Sequence, residues 1–102
     1  MIDADFIADR IAALRTAQNI SARDMSFSLG QSQSYINNIE NKKALPSMQM
    51  FLYICEFLKV EPKDFFDESI SEPDMVSKVI DAIKPLKREQ LNILISLAKE
   101  MK

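Results

Sequence analysis

Apolar residues recur three and four positions apart along nearly the whole chain, and no stretch alternates apolar and polar positions as a half-buried strand does. The pattern predicts seven helices. The first runs from about Asp5 to Gln18, with Phe6, Ile7, Ile11 and Leu14 on one stripe. Asp3 and Asp5 suit its positive end, and Asn19 follows as a left-handed cap. Ser21 opens a short second helix at Ala22, with Asp24 three residues on as in a capping box. Met25 and Leu29 share one face of it, and Gly30 ends it. Ser32 opens a third helix through Glu40, with Ile36 and Ile39 turned inward and Asn41 as its left-handed stop. Pro46 biases Leu45 away from helix, so residues 42–45 form a loop. Ser47 then caps a fourth helix whose stripe is Met48, Phe51, Leu52, Cys55 and Leu58. Glu61 and Pro62 start a fifth, short element carrying Phe65 and Phe66.

Beyond an acidic connector from Asp67 to Asp74, Ser71 and Asp74 are placed to cap a sixth helix with Val76, Val79, Ile80 and Ile83 on its stripe. Pro85 breaks it, and a seventh helix spans about Lys87 to Met101. The expected fold is all-α: a five-helix domain over residues 1–68 and a two-helix hairpin over 69–102.

Composition narrows the chemistry. In 102 residues there is one Gly, one Cys and no His or Trp. A single glycine excludes a phosphate-cradling Walker loop and a dinucleotide fingerprint, which need several within a few residues. Zero His and a lone Cys leave no zinc site of the usual kind, no disulfide within the chain and no thiol–imidazole pair. No metal, cofactor or small-molecule ligand is expected, nor is catalysis. No apolar run reaches the roughly 18–20 residues of a membrane span, and the start of the chain lacks the pattern of a signal peptide. With an unpaired Cys, this predicts a cytoplasmic protein.

The formal net charge of −2 argues mildly against a nucleic-acid partner. Five of the 15 acidic residues fall between Asp64 and Asp74 without a compensating cation, so the rest of the chain is mildly basic. Net charge decides nothing here.

The informative stretch is helix, glycine turn, helix, from Ser21 to Asn41. Two helices that cross at about 90–120° need a tight turn, and Gly30 reaches positive φ without steric cost. Ser26 is small where the helices would approach. The polar positions Gln33, Ser34, Asn37 and Asn38 make poor helix interior and fit either a solvated face or a binding face.

At this point the text itself resembles a known family. Residues 7–66, with Ile11, Leu14 and Arg15, then Ser21, Met25, Ser26, Gly30, Ser32, Ile36, Ile39, Glu40, Pro46, Ser47, Leu52, Leu58 and Val60, look like the lambda-repressor-like, or XRE, helix-turn-helix regulators. The resemblance implies a DNA-binding module that lays helix 32–40 in the major groove of double-stranded DNA. It places Gln33, Ser34 and Asn38 at base edges with Asn37 nearby, and carboxamides suit adenine. Ser21 and Ser32 at helix starts, with Tyr35, Lys42 and Lys43, are the phosphate candidates. Arg15 and Glu40 fall where the family pairs its first and third helices. Ala22 departs from the pattern, since a hydrogen-bonding residue is common there. Asn41 stands where Gly is common.

The last helix is apolar on two sides. Leu91, Ile95 and Ala98 would cover its own domain and leave Ile93 and Leu97 for a second copy, predicting a homodimer. The reading is therefore a dimeric DNA-binding transcriptional regulator, a repressor. The alternative is a protein-binding module of the same fold, antitoxin-like or accessory, with little DNA affinity. The acidic total and the scarcity of Arg favour it.

Overall fold

The computed structural model describes residues 2–102, so Met1, the first residue of the expected 1–68 unit, lies outside the described residues. Those residues form seven helices and no strand: α1 (Ala4–Ala17), α2 (Ala22–Ser28), α3 (Tyr35–Glu40), α4 (Met48–Leu58), α5 (Pro62–Phe65), α6 (Pro73–Ile83) and α7 (Arg88–Glu100). None is long and apolar enough to cross a membrane.

Short polar side chains start several of them. The Asp3 carboxylate accepts the Phe6 N–H, the Ser21 hydroxyl accepts the Asp24 N–H at 3.0 Å, and the Ser47 hydroxyl accepts the Met50 N–H. Asp24 makes no return bond to Ser21, so the expected capping box is half formed. Pro73 begins α6 behind Glu72, so the helix starts without the Ser71 cap, and the free connector shortens to residues 67–72. The reason is that proline's missing N–H and fixed φ suit a first helical turn without a side-chain partner.

Four helices stop in one way. After α1, α2, α3 and α4 a single residue turns left-handed, at Asn19 (φ 58°), Gly30 (φ 71°), Lys42 (φ 65°) and Lys59 (φ 60°). Its N–H bonds back three residues and the next N–H bonds back five, as in Gly30 to Phe27 and Gln31 to Ser26, both 2.9 Å. This paired closure satisfies carbonyls the helix would otherwise leave open. The expected stop at Asn41 is therefore displaced by one: Asn41 keeps φ −86° and Lys42 makes the turn.

The core comprises Ala8, Ile11 and Leu14 of α1, Met25 of α2, Ile36 and Ile39 of α3, Phe51, Ile54, Cys55 and Leu58 of α4, then Val60 and Phe65. Phe65 of α5 lies edge-on to both Phe6 and Phe51, with ring centroids 6.4 and 5.0 Å apart. The stripe of α4 is rotated from its expected position. Ile54 is buried, while Met48 and Leu52 face solvent, because α1, α3 and α5 pack against the Phe51–Cys55–Leu58 side.

Arg10 ties the end of this core together. Its guanidinium donates to the carbonyls of Asp64, Phe65 and Asp67 at 2.9–3.1 Å, closing the C-terminal end of α5 from α1.

The last two helices behave differently. α6 touches the rest of the fold at its start, where Pro73 and Asp74 are buried and Gln18 lies 3.4 Å from the Asp74 carboxylate. α7 buries no residue fully. The expectation that Leu91, Ile95 and Ala98 cover the domain is overturned. Leu91 and Leu94 are half-buried, and Ile95 and Ala98 are exposed, because α7 extends away from the core. The radius of gyration is 16.0 Å, against about 13 Å for a compact chain of this length, and the molecule measures 49 × 27 × 23 Å.

Candidate nucleic-acid interface

Three supports fix α3 against α1 and α2. The first is the turn at Gly30, whose two backward hydrogen bonds close α2 and release the chain toward α3. A Cβ at Gly30 would meet nothing within 4 Å, so the turn needs the dihedral and not the space. The second is Ser26, wholly buried on α2. Its hydroxyl donates to Ala22 O at 2.7 Å and accepts the Ile36 N–H at 3.0 Å. α3 has no side-chain cap of its own, so a hydroxyl from the neighbouring helix performs that task.

The third support is the ion pair between Arg15 of α1 and Glu40 of α3. Two parallel N–H···O bonds of 2.7 and 2.8 Å join them, and a third Arg15 N–H bonds the Ile20 carbonyl at 2.8 Å. The side chains are 16% and 10% exposed, so the pair is neither surface-screened nor fully dry. Hydrogen bonding to Glu40 raises the Arg15 pKa further above its ordinary value. This is the contact expected between these two residues.

Held in this way, α3 presents a polar outer surface. Gln33, Ser34 and Asn37 are exposed and Asn38 is half-buried, while Ile36 and Ile39 point into the core. The regular helix is shorter than the expected 32–40 span. It begins at Tyr35, and Gln33 and Ser34 occupy the turn that leads into it, closed by the Tyr35 N–H to Ser32 O bond of 3.1 Å. Ser32 thus contributes its carbonyl and not its side chain, and the expected Ser32 cap is absent. The backbone had already found its acceptor in Ser26.

The phosphate candidates divide. Ser21 is exposed but uses its hydroxyl to cap α2. Tyr35 is half-buried, and desolvation raises its phenol pKa. Lys42 leans toward α1, its Nζ 3.9 and 3.8 Å from Asp5 and Asp9. Lys43 is exposed and, among the described residues, forms no ion pair. Arg23, absent from the sequence-based candidates, is an exposed cation on α2 with its guanidinium 5.5 Å from the Phe27 ring centre.

Sequence reasoning singled out Ser26 for its size but missed the bond its hydroxyl makes to the Ile36 N–H, and it missed Arg10 altogether. A serine beside Met25 on the buried side of α2 breaks the apolar pattern, and that break is the signal for Ser26. For Arg10, nothing nearby in sequence announces partners more than fifty residues away.

With this geometry in place, comparison with known proteins is informative. A helix-turn-helix family model matches residues 11–65, just over half of the chain and the whole of α2 to α5. No curated protein and no solved structure matches the chain. Members of this type are DNA-binding transcription regulators, a domain class not typically enzymatic. The chain belongs to the helix-turn-helix family, in its XRE or lambda-repressor-like branch.

Proposed function

We propose that the chain is a sequence-specific repressor that binds DNA as a two-fold dimer. Residues 1–68 form the reading domain and 69–102 the pairing element. The observation that carries the proposal is one polar surface: Asn37 and half-buried Asn38 on α3, with Gln33 and Ser34 exposed in the turn that leads into it, held by Ser26 and the Arg15–Glu40 pair. Amide and hydroxyl groups held that way suit base edges in a major groove. Lys43, Lys42, Ser21, Ser32, Tyr35 and Arg23 surround that surface as phosphate contacts.

Pairing is supported by the exposed apolar residues of α6 and α7. Ile93 is 67% and Leu97 51% exposed, Met75 and Val79 are similarly open, and α7 buries little against its own chain. A helix with an apolar arc this wide is stable when something covers it. A second copy would set two reading helices on one DNA face, about 34–36 Å apart or a multiple of it, and occlude polymerase.

The net charge of −2, with Lys42 beside α3 drawn toward Asp5 and Asp9, is the observation favouring a protein-binding module instead. Duplex binding at several salt concentrations decides. A DNA binder loses affinity linearly in log salt, and Lys43→Ala flattens that slope by about one while weakening all sequences alike. Absence of duplex binding at low salt refutes the DNA reading. Sedimentation of a monomer at tens of micromolar refutes the pairing.

A further inference from the structure

We infer that Gln18 and Arg10 are positioning residues that fix the distance between the two half-sites a dimer can engage. This inference rests on the dimeric, DNA-binding reading above and names what sets its geometry. The two side chains clasp opposite ends of the connector, residues 67–72. At its start, the Arg10 guanidinium holds the carbonyls of Asp64, Phe65 and Asp67. Just beyond its far end, half-buried Gln18, the residue that follows α1, donates to the Leu58 carbonyl at 2.8 Å and to the Asp74 carboxylate at 3.4 Å. Asp74 is buried in the first turn of α6, so this contact ties α6 to the ends of α1 and α4 at once. Between the two clasps in sequence, Arg15 of α1 holds Glu40 of α3. One helix and its cap residue therefore join α3 to both ends of the segment that leads to α6 and α7.

The connector alone would be a poor spacer. It has no helix or strand, and the Asp67 carboxylate that accepts the Ser69 N–H and hydroxyl closes only a local turn. If α6 and α7 pair two copies, any swing at the connector is amplified at α3. A lever half as long as the 49 Å molecule moves its end by about 4 Å for a swing of about 10°, more than the roughly 3.4 Å of one base pair. Each added base pair also turns the next half-site by about 35° around the duplex. Small changes at the connector therefore decide which spacing two copies reach together. A stiff linkage concentrates avidity, about 10²–10⁴-fold over one copy, at that spacing, and a loose one spreads it over several. The clasps of Arg10 and Gln18 supply the stiffness that an irregular connector lacks.

The test selects bound duplexes from a random pool with the full chain, then varies the spacing of the enriched half-sites one base pair at a time. The parent should bind one spacing tightly and lose about tenfold or more when that spacing changes by two base pairs. In Gln18→Ala and Asp74→Ala the loss should shrink to about threefold or less, with affinity for a lone half-site within about twofold of the parent. Arg10→Lys, which cannot reach three carbonyls at once, should act likewise. Asp74→Asn keeps an oxygen for Gln18 and should retain the parent's selectivity. A merely structural role would lower affinity at every spacing alike and leave the profile unmoved. Two glycines inserted between exposed Ser71 and Glu72 lengthen the connector but leave both clasps, so the preferred spacing should stay. A dimer that binds all spacings alike, variants that keep the parent's profile, or an insertion that shifts it overturn the inference and leave DNA binding by a dimer standing. Absence of salt-dependent duplex binding, or a monomer in sedimentation, overturns the reading beneath it.

Discussion

Removing one oxygen atom from the core tests how α3 is held. In Ser26→Ala the buried hydroxyl that accepts the Ile36 N–H disappears, and no other group is placed to replace it. A buried backbone donor left unsatisfied costs about 1–3 kcal/mol. The donated bond to Ala22 O, inside α2, costs less to lose, and alanine gains back about 0.5 kcal/mol of helix propensity. The net expectation is a loss of about 1–2 kcal/mol. For a domain of this size that is a melting shift of about 5–15 °C.

The assay has two parts. Urea unfolding followed by circular dichroism measures the global loss, and amide hydrogen exchange reads Ile36 directly. If the hydroxyl is the cap, the Ile36 amide loses protection by more than the global change accounts for, and the first turn of α3 frays. Duplex affinity falls with it, because Ser34 and Gln33 lead into that turn. Stability within about 0.3 kcal/mol of the parent, with Ile36 still protected, would refute the cross-helix cap.

Arg15→Lys should cost about 1.5–3 kcal/mol in the same unfolding assay, since lysine cannot span both Glu40 oxygens and the Ile20 carbonyl together. Gly30→Ala should lose about 1 kcal/mol from dihedral strain with no clash, whereas Lys59→Gly should gain a similar amount at φ 60°; equal and opposite melting shifts are the readout. Burial, aided by the charge of Glu61, pushes the Cys55 thiol up to about 12 from an ordinary 9.0, so the unfolded chain ionises it first. Stability present below pH 9 should decline as pH rises toward 12, by about 1.4 kcal/mol at pH 10 from this group. Tyr35 adds in the same direction, and Cys55→Ala should flatten the decline; an unchanged alkaline slope would count against it.

Helices α1 to α5 were legible in sequence wherever structure is local. Ser21, Ser47, Asn19 and Gly30 each act within a few residues of themselves, so their types announce their roles. The errors have a common origin in packing at a distance. Met48 and Leu52 fit a helical stripe as well as Ile54 does, and the choice among them depends on where α1 and α5 lie. Ser32 and Asn41 are good capping residues, yet Ser26 and Lys42 took those tasks, because a cap is decided by which backbone group is left open. Among the candidate site residues, sequence alone identified the exposed face, but not that Lys42 leans on α1 or that Arg23 stands free of it.

The three supports of α3 share a property that bears on how such a protein would bind an anionic polymer while carrying net charge −2. Each is closed within the fold: a backbone turn, a neutral hydroxyl, and an ion pair whose charges cancel. Phosphate contact is therefore not needed to set the angle of α3, and salt should leave that angle unchanged. Few free cations beside α3 also mean few counterions released there, at about 0.9 per neutralised phosphate. With Lys43 and Arg23 as the exposed cations flanking α3, the slope of log affinity against log salt should be shallow, about −2 for each subunit. Nonspecific affinity would then be weak, and discrimination would rest on the amides and on pairing two copies. A steep slope, near −5 per subunit, would mean that cations elsewhere on the chain reach DNA and that α3 is not the principal contact.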